Sequence, residues 1–253
     1  MCHKIFNSEY LKHELRSKYR CHTDSGAGEE INLQMSEINL LEKYPVSKRP
    51  IEERGNQITE EHRAVARQFG KDFFDGDRLF GYGGYGYHPR FWTDTVAHIR
   101  GHYNLAPDAK ILDVGCAKGF MVHDFKLLMP EAKIEGLDVS EYAIENSKEE
   151  VRSNLRVADA KDLPYEDNSF DLVISINTVH NLPIEECKQA IAEIQRVSKK
   201  HAFITMDAYR SEAEHQSMLK WNLTALTHMY VKEWEALFAE VGYTRDYYWF
   251  IAA

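Results

Sequence analysis

Residues 111–120, ILDVGCAKGF, decide the fold class of this chain. The run ILDV at 111–114 is short and apolar, and a glycine follows it, which is typical of a buried strand that ends in a tight turn. Gly115 permits that turn, and Gly119 allows the next helix to pack close to the sheet. Backbone N–H groups at the start of the helix would then face a ligand. Because glycine turns after strands are common, a purely structural turn is the alternative interpretation.

Strands and helices alternate through the rest of the chain. Further strands are predicted at 133–138, 155–158, 170–176, 202–206 and 245–251. The helix after the fourth strand has its apolar residues on one face, from Ile184 to Val197. This alternation predicts an α/β fold, with a doubly wound, mostly parallel sheet and helices on both faces.

The N-terminal part has a different composition. Residues 1–104 are predicted to form a helical N-terminal cap, with helices over 7–18, 30–43, 59–74 and 89–103, and residues 105–253 the core. Loop 80–88, FGYGGYGYH, alternates glycines with tyrosines, whose phenols make poor core material. A mobile lid over a pocket explains both residue types, and a rigid packing loop is the alternative.

Composition excludes several classes of protein. The chain has 253 residues, 43% of them hydrophobic, and a formal net charge of −9. Such a chain can fill a core, and the negative charge argues against a nucleic-acid partner. No apolar run is long enough for a membrane helix or a secretory signal, so no membrane contact is expected. The four scattered cysteines fit neither a disulfide framework nor a metal site and are typical of a cytoplasmic protein.

Acidic residues lie at or near the carboxyl ends of three successive predicted strands. Asp113 lies in the first, Asp138 ends the second, about 20 residues after Gly119, and Asp159 follows the third. An acid at the position of Asp138 can accept hydrogen bonds from both hydroxyls of a ribose. Asp159 could accept from an adenine amine, with Ala160 offering its N–H. All these positions are expected at one crevice, where open α/β sheets bind ligands.

Four segments resemble class I S-adenosylmethionine-dependent methyltransferases, a family with a Rossmann-like core. They are ILDVGCAKGF (111–120), IEGLDVS (134–140), VADAKDLPYEDNSFDLVISINTVHNL (157–182) and AFITMDAYR (202–210). Ala117 stands where the family more often has a glycine. The resemblance implies S-adenosyl-L-methionine as cofactor. The residues that it implies for binding are Asp113, Gly115, Cys116, Ala117 and Gly119 at the methionine part, Asp138 and Val139 at the ribose, Asp159 and Ala160 at the adenine, and Asn177 beside the sulfonium.

Charge favours this cofactor over NAD. A carboxylate in the turn, Asp113, repels a pyrophosphate but tolerates a sulfonium or an ammonium. One departure concerns the far edge of the sheet, where the family usually has an antiparallel pair and this chain has one obvious late strand at 245–251. Either the edge is reduced or residues 219–228 supply an extra element.

Candidates for the chemistry come from the loops after the fourth and fifth strands and from the cap. The expected catalytic residues are His180, Tyr85 and His88. His180 is a candidate general base, because imidazole titrates near neutrality, and a structural histidine is the alternative. Arg90 could clamp a carboxylate or phosphate. The expected substrate-binding residues are Tyr82, Tyr87, Arg90, Asn181, Asp207 and Tyr209.

The leading hypothesis is methyl transfer to an O, N or C atom of a small molecule enclosed by the cap. Two alternatives keep the cofactor: aminocarboxypropyl transfer or cyclisation that releases methylthioadenosine, and a binding module without catalysis. NAD-dependent redox chemistry is a more distant alternative. The aromatic run Tyr247–Phe250 is expected to be an edge strand in need of cover, which hints at a homodimer.

Overall fold

The computed structural model describes residues 35–45, 51–83 and 86–252. The chain divides after residue 32, and all the described residues belong to the second unit, Leu33–Ala253. The predicted helix over 7–18 therefore lies outside the described residues, as does the candidate catalytic residue Tyr85.

A parallel β-sheet organises the described part of the chain. Its strands are β1 (Lys110–Val114), β2 (Lys133–Asp138), β3 (Leu155–Val157), β4 (Phe170–Ile176), β5 (Ser198–Tyr209), β6 (Met229–Tyr230) and β7 (Asp246–Phe250). They follow the order β3-β2-β1-β4-β5, and both β6 and β7 pair with β5. Each of these strand pairs is parallel. The predicted Rossmann-like, doubly wound sheet is confirmed.

Helices precede the sheet and cover its two faces. Those before the first strand are α1 (Ile51–Gly55), α2 (Glu60–Ala66), α3 (Lys71–Asp75) and α4 (Pro89–His102). Those within the sheet region are α5 (Phe120–Leu128), α6 (Glu141–Glu145), α7 (Ile184–Val197), α8 (Glu212–Trp221) and α9 (Val231–Val241). Short 3₁₀ helices span Glu149–Asn154 and Val179–Asn181.

Alternate residues of each strand fill the two sides of the core. On one side, Ile111 of β1 packs in a cluster with residues of α4 and α5. On the other side, Leu112 of the same strand packs in a cluster with residues of α7 and α9. This period of two is the expected result of burying a strand between two helical layers.

Strand order reverses at β1, which places a crevice at one edge of the sheet. β1 pairs with β2 on one side and with β4 on the other. The loops after these strands therefore diverge at their carboxyl ends, and open α/β sheets bind ligands at such a point.

The far edge of the sheet is reduced, and the chain itself covers part of it. β7 is a single late strand parallel to β5. Residues 36–38 extend along it: Ile38 N donates to Tyr247 O at 2.8 Å, and Tyr247 N donates to Ser36 O at 3.0 Å. The predicted helix over 30–43 is thus wrong in its described part, because these residues satisfy the open edge of β7 instead. This pairing covers the edge only at Tyr247, so the expected homodimer stays a prediction.

The predicted helix over 59–74 is two helices. α2 ends at Ala66 and α3 begins at Lys71. Between them Phe69 has a φ of +48°, in the left-handed region that interrupts a helix. Its carbonyl accepts a hydrogen bond from Ser140 Oγ at 2.5 Å, so the break ties residues 51–104, here called the N-terminal segment, to the loop after β2.

Candidate cofactor and acceptor site

The turn after β1 has the geometry that only glycine accommodates without strain. Gly115 has a φ of +85°, and a Cβ there would lie 2.1 Å from Thr178 Oγ1. Gly119 has a φ of +73° and precedes α5 directly. The N–H groups of Gly115 and Cys116 both donate to Leu137 O, at 2.8 and 2.9 Å. The glycine turn is therefore fixed against the end of β2.

Ala117 completes the turn in a left-handed conformation. Its φ is +49°, where an L residue costs about 1–2 kcal/mol relative to glycine. Its N–H donates to Asp138 Oδ2 at 2.8 Å, and Ser140 N donates to Asp138 Oδ1 at 2.9 Å. The Asp138 carboxylate thus holds both loops of the crevice. Because a carboxylate has about four acceptor sites, it retains capacity for ribose hydroxyls.

Asp113 is a buried carboxylate at the end of β1. It is 5% exposed, and no hydrogen bond from the described residues reaches its side chain. Burial, with a smaller contribution from the charge of Asp138, raises the pKa of Asp113 to about 8. Burial also raises the pKa of Asp138. Two buried acids beside a glycine turn fit a ligand that brings hydroxyls and positive charge, as the adenosyl sulfonium does, and disfavour a pyrophosphate.

The remaining predicted cofactor residues lie at the same edge of the sheet. Val139 is 56% exposed directly after β2. Asp159 is near the end of β3, where its carboxylate accepts from Lys161 N at 3.1 Å. Asn177 follows β4 with a φ of +50°, and Thr205 Oγ1 donates to its Oδ1 at 2.8 Å. The roles of these residues in binding stay predictions.

The N-terminal segment packs directly on the glycine turn, which sequence reasoning missed. Lys118 Nζ lies 2.6 Å from Asp75 of α3, and Tyr142 Oη donates to the same carboxylate at 2.7 Å. Phe73 and Phe74 pack in a cluster with Ala143, and Ala117 lies against that cluster. A lysine inside a glycine motif was the available signal, but its partner lies 43 residues away.

His180 is buried in the loop after β4. It is 3% exposed, and its Nδ1 accepts a hydrogen bond from Asp207 N at 3.0 Å. Burial lowers the pKa of His180 to about 3. The imidazole is therefore neutral and carries its proton on Nε2, from which it can donate but not accept.

Asp207, near the end of β5, lies beside this histidine. It is 3% exposed, and its Oδ2 is 3.9 Å from His180 Nε2. Burial raises the pKa of Asp207 to about 7, and the nearby His228 opposes this rise. Tyr82 of the glycine-tyrosine loop lies close to this pair: burial, and less strongly the charge of Asp207, raise the pKa of Tyr82, and its Oη accepts from Leu223 N at 2.8 Å.

Other predicted residues form contacts within the protein. Tyr87 Oη donates to Asp124 at 2.7 Å, which anchors the end of the loop on α5. His88 is the N-cap of α4, and its Nδ1 accepts from Arg90 N at 3.2 Å. The Arg90 guanidinium lies over the ring of Phe91. These contacts account for the three side chains without a ligand, and their expected catalytic and substrate roles stay predictions.

The two remaining candidates, Asn181 and Tyr209, also contact other residues of the protein. Asn181 Nδ2 donates to Asn177 O at 3.3 Å, while its Oδ1 is buried without a partner among the described residues. Tyr209 stacks on His215 with ring centroids 4.3 Å apart. Asn181 is thus next to the predicted sulfonium position, and Tyr209 belongs to an aromatic cluster at the end of β5.

Within residues 35–45, 51–83 and 86–252, no three His, Cys, Asp or Glu side chains are grouped so as to hold a metal ion. No helix in the described ranges combines the length and the apolar character that crossing a membrane requires.

Comparison with known proteins identifies the class. The family model of the methyltransferase domain matches residues 105–251. The chain belongs to this family, and its fold is that of class I S-adenosylmethionine-dependent methyltransferases, whose cofactor is S-adenosyl-L-methionine.

Particular relatives cover only parts of the chain. A tRNA (carboxymethyluridine(34)-5-O)-methyltransferase of Arabidopsis thaliana is 36% identical over 56% of this chain and 33% of its own length. A demethylmenaquinone methyltransferase of Lactiplantibacillus plantarum is 27% identical over 64% of this chain and 70% of its own. The chain therefore spans only a third of the Arabidopsis protein. Residues 1–104 lie outside the family match.

One solved structure supports the fold alone. Phosphoethanolamine N-methyltransferase 2 of Haemonchus contortus, in complex with S-adenosyl-L-methionine, matches 70% of this chain and 44% of its own, with 18% identity and a TM-score of 0.51.

Proposed function

We propose that this protein transfers a methyl group from S-adenosyl-L-methionine to an O, N or C atom of a small molecule. The observation that carries the proposal is the buried Asp113 carboxylate, which no described donor satisfies and which lies beside the glycine turn. When bound there, the cofactor supplies an electrophilic methyl group. Asp113 would hold the positive charge of the methionine part, Asp138 the ribose, and Asp159 with Ala160 the adenine.

The chain's main contribution to methyl transfer is positioning, because the acceptor atom must line up behind the methyl carbon. Asn177 would orient the sulfonium side of the site, and its own side chain is fixed by Thr205. Within the predicted cap, the described residues 51–83 and 86–104 would cover the site, with the Lys118–Asp75 contact fastening them to the cofactor turn. Such a cover excludes water from a small acceptor.

An acceptor that carries a proton needs a base, and the geometry favours Asp207 over His180 for this role. His180 accepts a hydrogen bond at Nδ1, so its second nitrogen donates. Asp207 is buried and has a pKa of about 7, so it takes up a proton near neutral pH. His180 would then orient the acceptor by donating from Nε2.

The relatives leave an RNA acceptor as a second candidate, since the Arabidopsis relative is named as a tRNA methyltransferase. The net charge of −9 argues for the small molecule, because RNA binding needs clustered cations. Aminocarboxypropyl transfer or cyclisation from the same cofactor would release methylthioadenosine, whereas methyl transfer releases S-adenosylhomocysteine.

The test begins with calorimetric binding of S-adenosylhomocysteine, followed by turnover of S-adenosylmethionine with a panel of small acids, amines and phenols and with unmodified tRNA. S-adenosylhomocysteine as product supports methyl transfer, whereas methylthioadenosine contradicts it. A folded protein that shows no binding heat for S-adenosylhomocysteine refutes the assigned cofactor site. Turnover with tRNA but with none of the small acceptors refutes the small-molecule proposal.

A further inference from the structure

A cleft of about 390 Å³ lies between α2, the end of α8 and the loop 222–228. The N-terminal segment contributes Arg63 and Arg67 to its wall, and the core contributes Asn222 and His228. Neither arginine was among the residues predicted from sequence. The cleft thus joins the two parts of the chain and is distinct from the glycine turn that forms the cofactor site.

The charges in the cleft do not balance. Arg63 bonds to Glu60 at 2.7 Å and to the carbonyls of Asn222 and Leu219, so this arginine and the one carboxylate in the wall are already paired. The side chain of Arg67 forms no hydrogen bond or ion pair with a described residue, and its Nε is buried. One guanidinium is therefore left without a counter-charge in the cleft of an acidic protein.

A second polar atom in the wall also lacks a partner. His228 Nδ1 is buried and has no hydrogen-bond partner among the described residues. A buried polar group without a partner destabilises the folded protein, because its lost bonds to water are not replaced. Arg67, at the C-terminal end of α2, and His228, in the loop before β6, both line the cleft, so one ligand with oxygen atoms can contact both side chains.

The cleft is connected to the groups proposed to act on the acceptor. The N–H groups of Leu226 and Thr227 donate to His180 O at 3.1 and 2.9 Å, so the loop that forms one wall is fixed on the segment after β4. His228 is near enough to Asp207 for the two charges to influence each other. The wall of the cleft that carries His228 is therefore held against the segment that carries His180, and His228 lies close to Asp207.

We propose that this cleft binds the carboxylate or phosphate group of a small methyl acceptor, with Arg67 as its counter-ion and His228 as a hydrogen-bonding partner. The proposal rests on the proposed function and narrows its substrate class to acids. An arginine suits both kinds of anion because its planar donors match two oxygens at once. Glu60 does not oppose such a ligand, since Arg63 neutralises it.

The test uses simple probes, because the acceptor itself is not needed to measure the subsite. Binding of benzoate and of phenyl phosphate is measured by ligand-observed NMR, with benzamide and benzyl alcohol as uncharged partners of similar shape. We expect one or both anions to bind and the uncharged partners to fail. A preference between the two anions distinguishes a carboxylate from a phosphate ligand.

Three variants give the test its controls. Arg67→Gln should weaken anion binding about tenfold or more, and Arg67→Lys less, since a lysine keeps the charge but not the paired donors. Arg100→Gln, at an exposed position of α4, should leave anion binding unchanged. S-adenosylhomocysteine affinity should be the same in wild type and Arg67→Gln, and that measurement also verifies that the variant is folded.

The outcomes separate this proposal from the one it rests on. Anion binding that is absent, or equally strong in Arg67→Gln and wild type, overturns the acid subsite even where S-adenosylhomocysteine binds normally. Competition by a single-stranded RNA oligonucleotide that depends on Arg67 also overturns it, in favour of a polynucleotide. Failure of S-adenosylhomocysteine to bind a protein that still binds benzoate through Arg67 refutes the cofactor assignment instead.

Discussion

Replacing Asp113 by Asn should abolish a pH dependence of cofactor binding that the wild-type protein has. Burial and the nearby charge of Asp138 raise the pKa of Asp113 to about 8, so most molecules of the free protein carry a proton there at pH 6. The positive charge of the bound methionine part favours the ionised carboxylate. Binding therefore releases that proton, and affinity rises with pH.

The size of the effect follows from the pKa. At pH 6 about 1% of Asp113 is ionised, and at pH 7.5 about a quarter, so affinity should increase roughly 20-fold over this interval. The interval stays below about pH 8, where α-amino groups begin to lose their own proton. In the Asp113→Asn variant the same interval should change affinity by less than about threefold, and binding should be weaker at pH 7.5.

Isothermal titration calorimetry with S-adenosylhomocysteine measures both quantities. Titrations in two buffers of different ionisation enthalpy give the number of protons released, which should approach one per site at pH 6 in wild type. Asp108→Asn, at an exposed position before β1, is the matched control and should behave as wild type. An equally steep pH dependence in Asp113→Asn would refute the reasoning, as would a flat profile in wild type.

Three other predictions concern the loops around the site. Gly115→Ala should destabilise the protein by about 3 kcal/mol or more in urea unfolding, because its Cβ would overlap Thr178 at a φ of +85°, and Gly115→Ala/Thr178→Gly should recover part of that loss. His180→Ala should lower the free energy of unfolding by about 1–3 kcal/mol more than His180→Asn, because Asn keeps an acceptor for the buried N–H of Asp207. Equal stabilities of the two variants would contradict the hydrogen bond at His180 Nδ1. Lys118→Met should lower the free energy of unfolding by about 1–3 kcal/mol, and adding Asp75→Asn to this variant should lower it little further. Strictly additive losses of stability in the double-mutant cycle would show that the two side chains are not coupled.

Local patterns in the sequence predicted most of the core. The strand at 133–138 and the strand at 170–176 have the expected bounds, and the helix that starts at Pro89 ends within a residue of its predicted end. These elements are predictable because their apolar period and their capping residues act within a few positions of each other. The fifth strand is longer than predicted, since polar residues at 198–201 join it by pairing with β4.

Contacts between distant segments explain what the sequence did not reveal. The extended residues 36–38 are added to β7 by pairing with Tyr247, and no local signal marks that partner. Lys118 meets Asp75, and Tyr82 meets the N–H of Leu223, only after the N-terminal segment has packed on the core. Arg67 likewise carries no signal in the sequence, because only the folded structure shows that no described carboxylate pairs with its guanidinium.

Two buried acids, Asp113 and Asp207, lower the stability of the free protein as pH rises toward neutrality. For Asp113 the folded protein retains a proton that the unfolded chain loses above about pH 4, so the stability of the free protein falls as pH rises from there to about 8. Burial acts on Asp207 in the same direction up to about pH 7. A hydrophobic core would gain from neutral side chains at both positions. Because these acids lie near the ends of β1 and β5, we interpret their cost in stability through the roles proposed for them, Asp113 in holding a cation and Asp207 in taking up a proton.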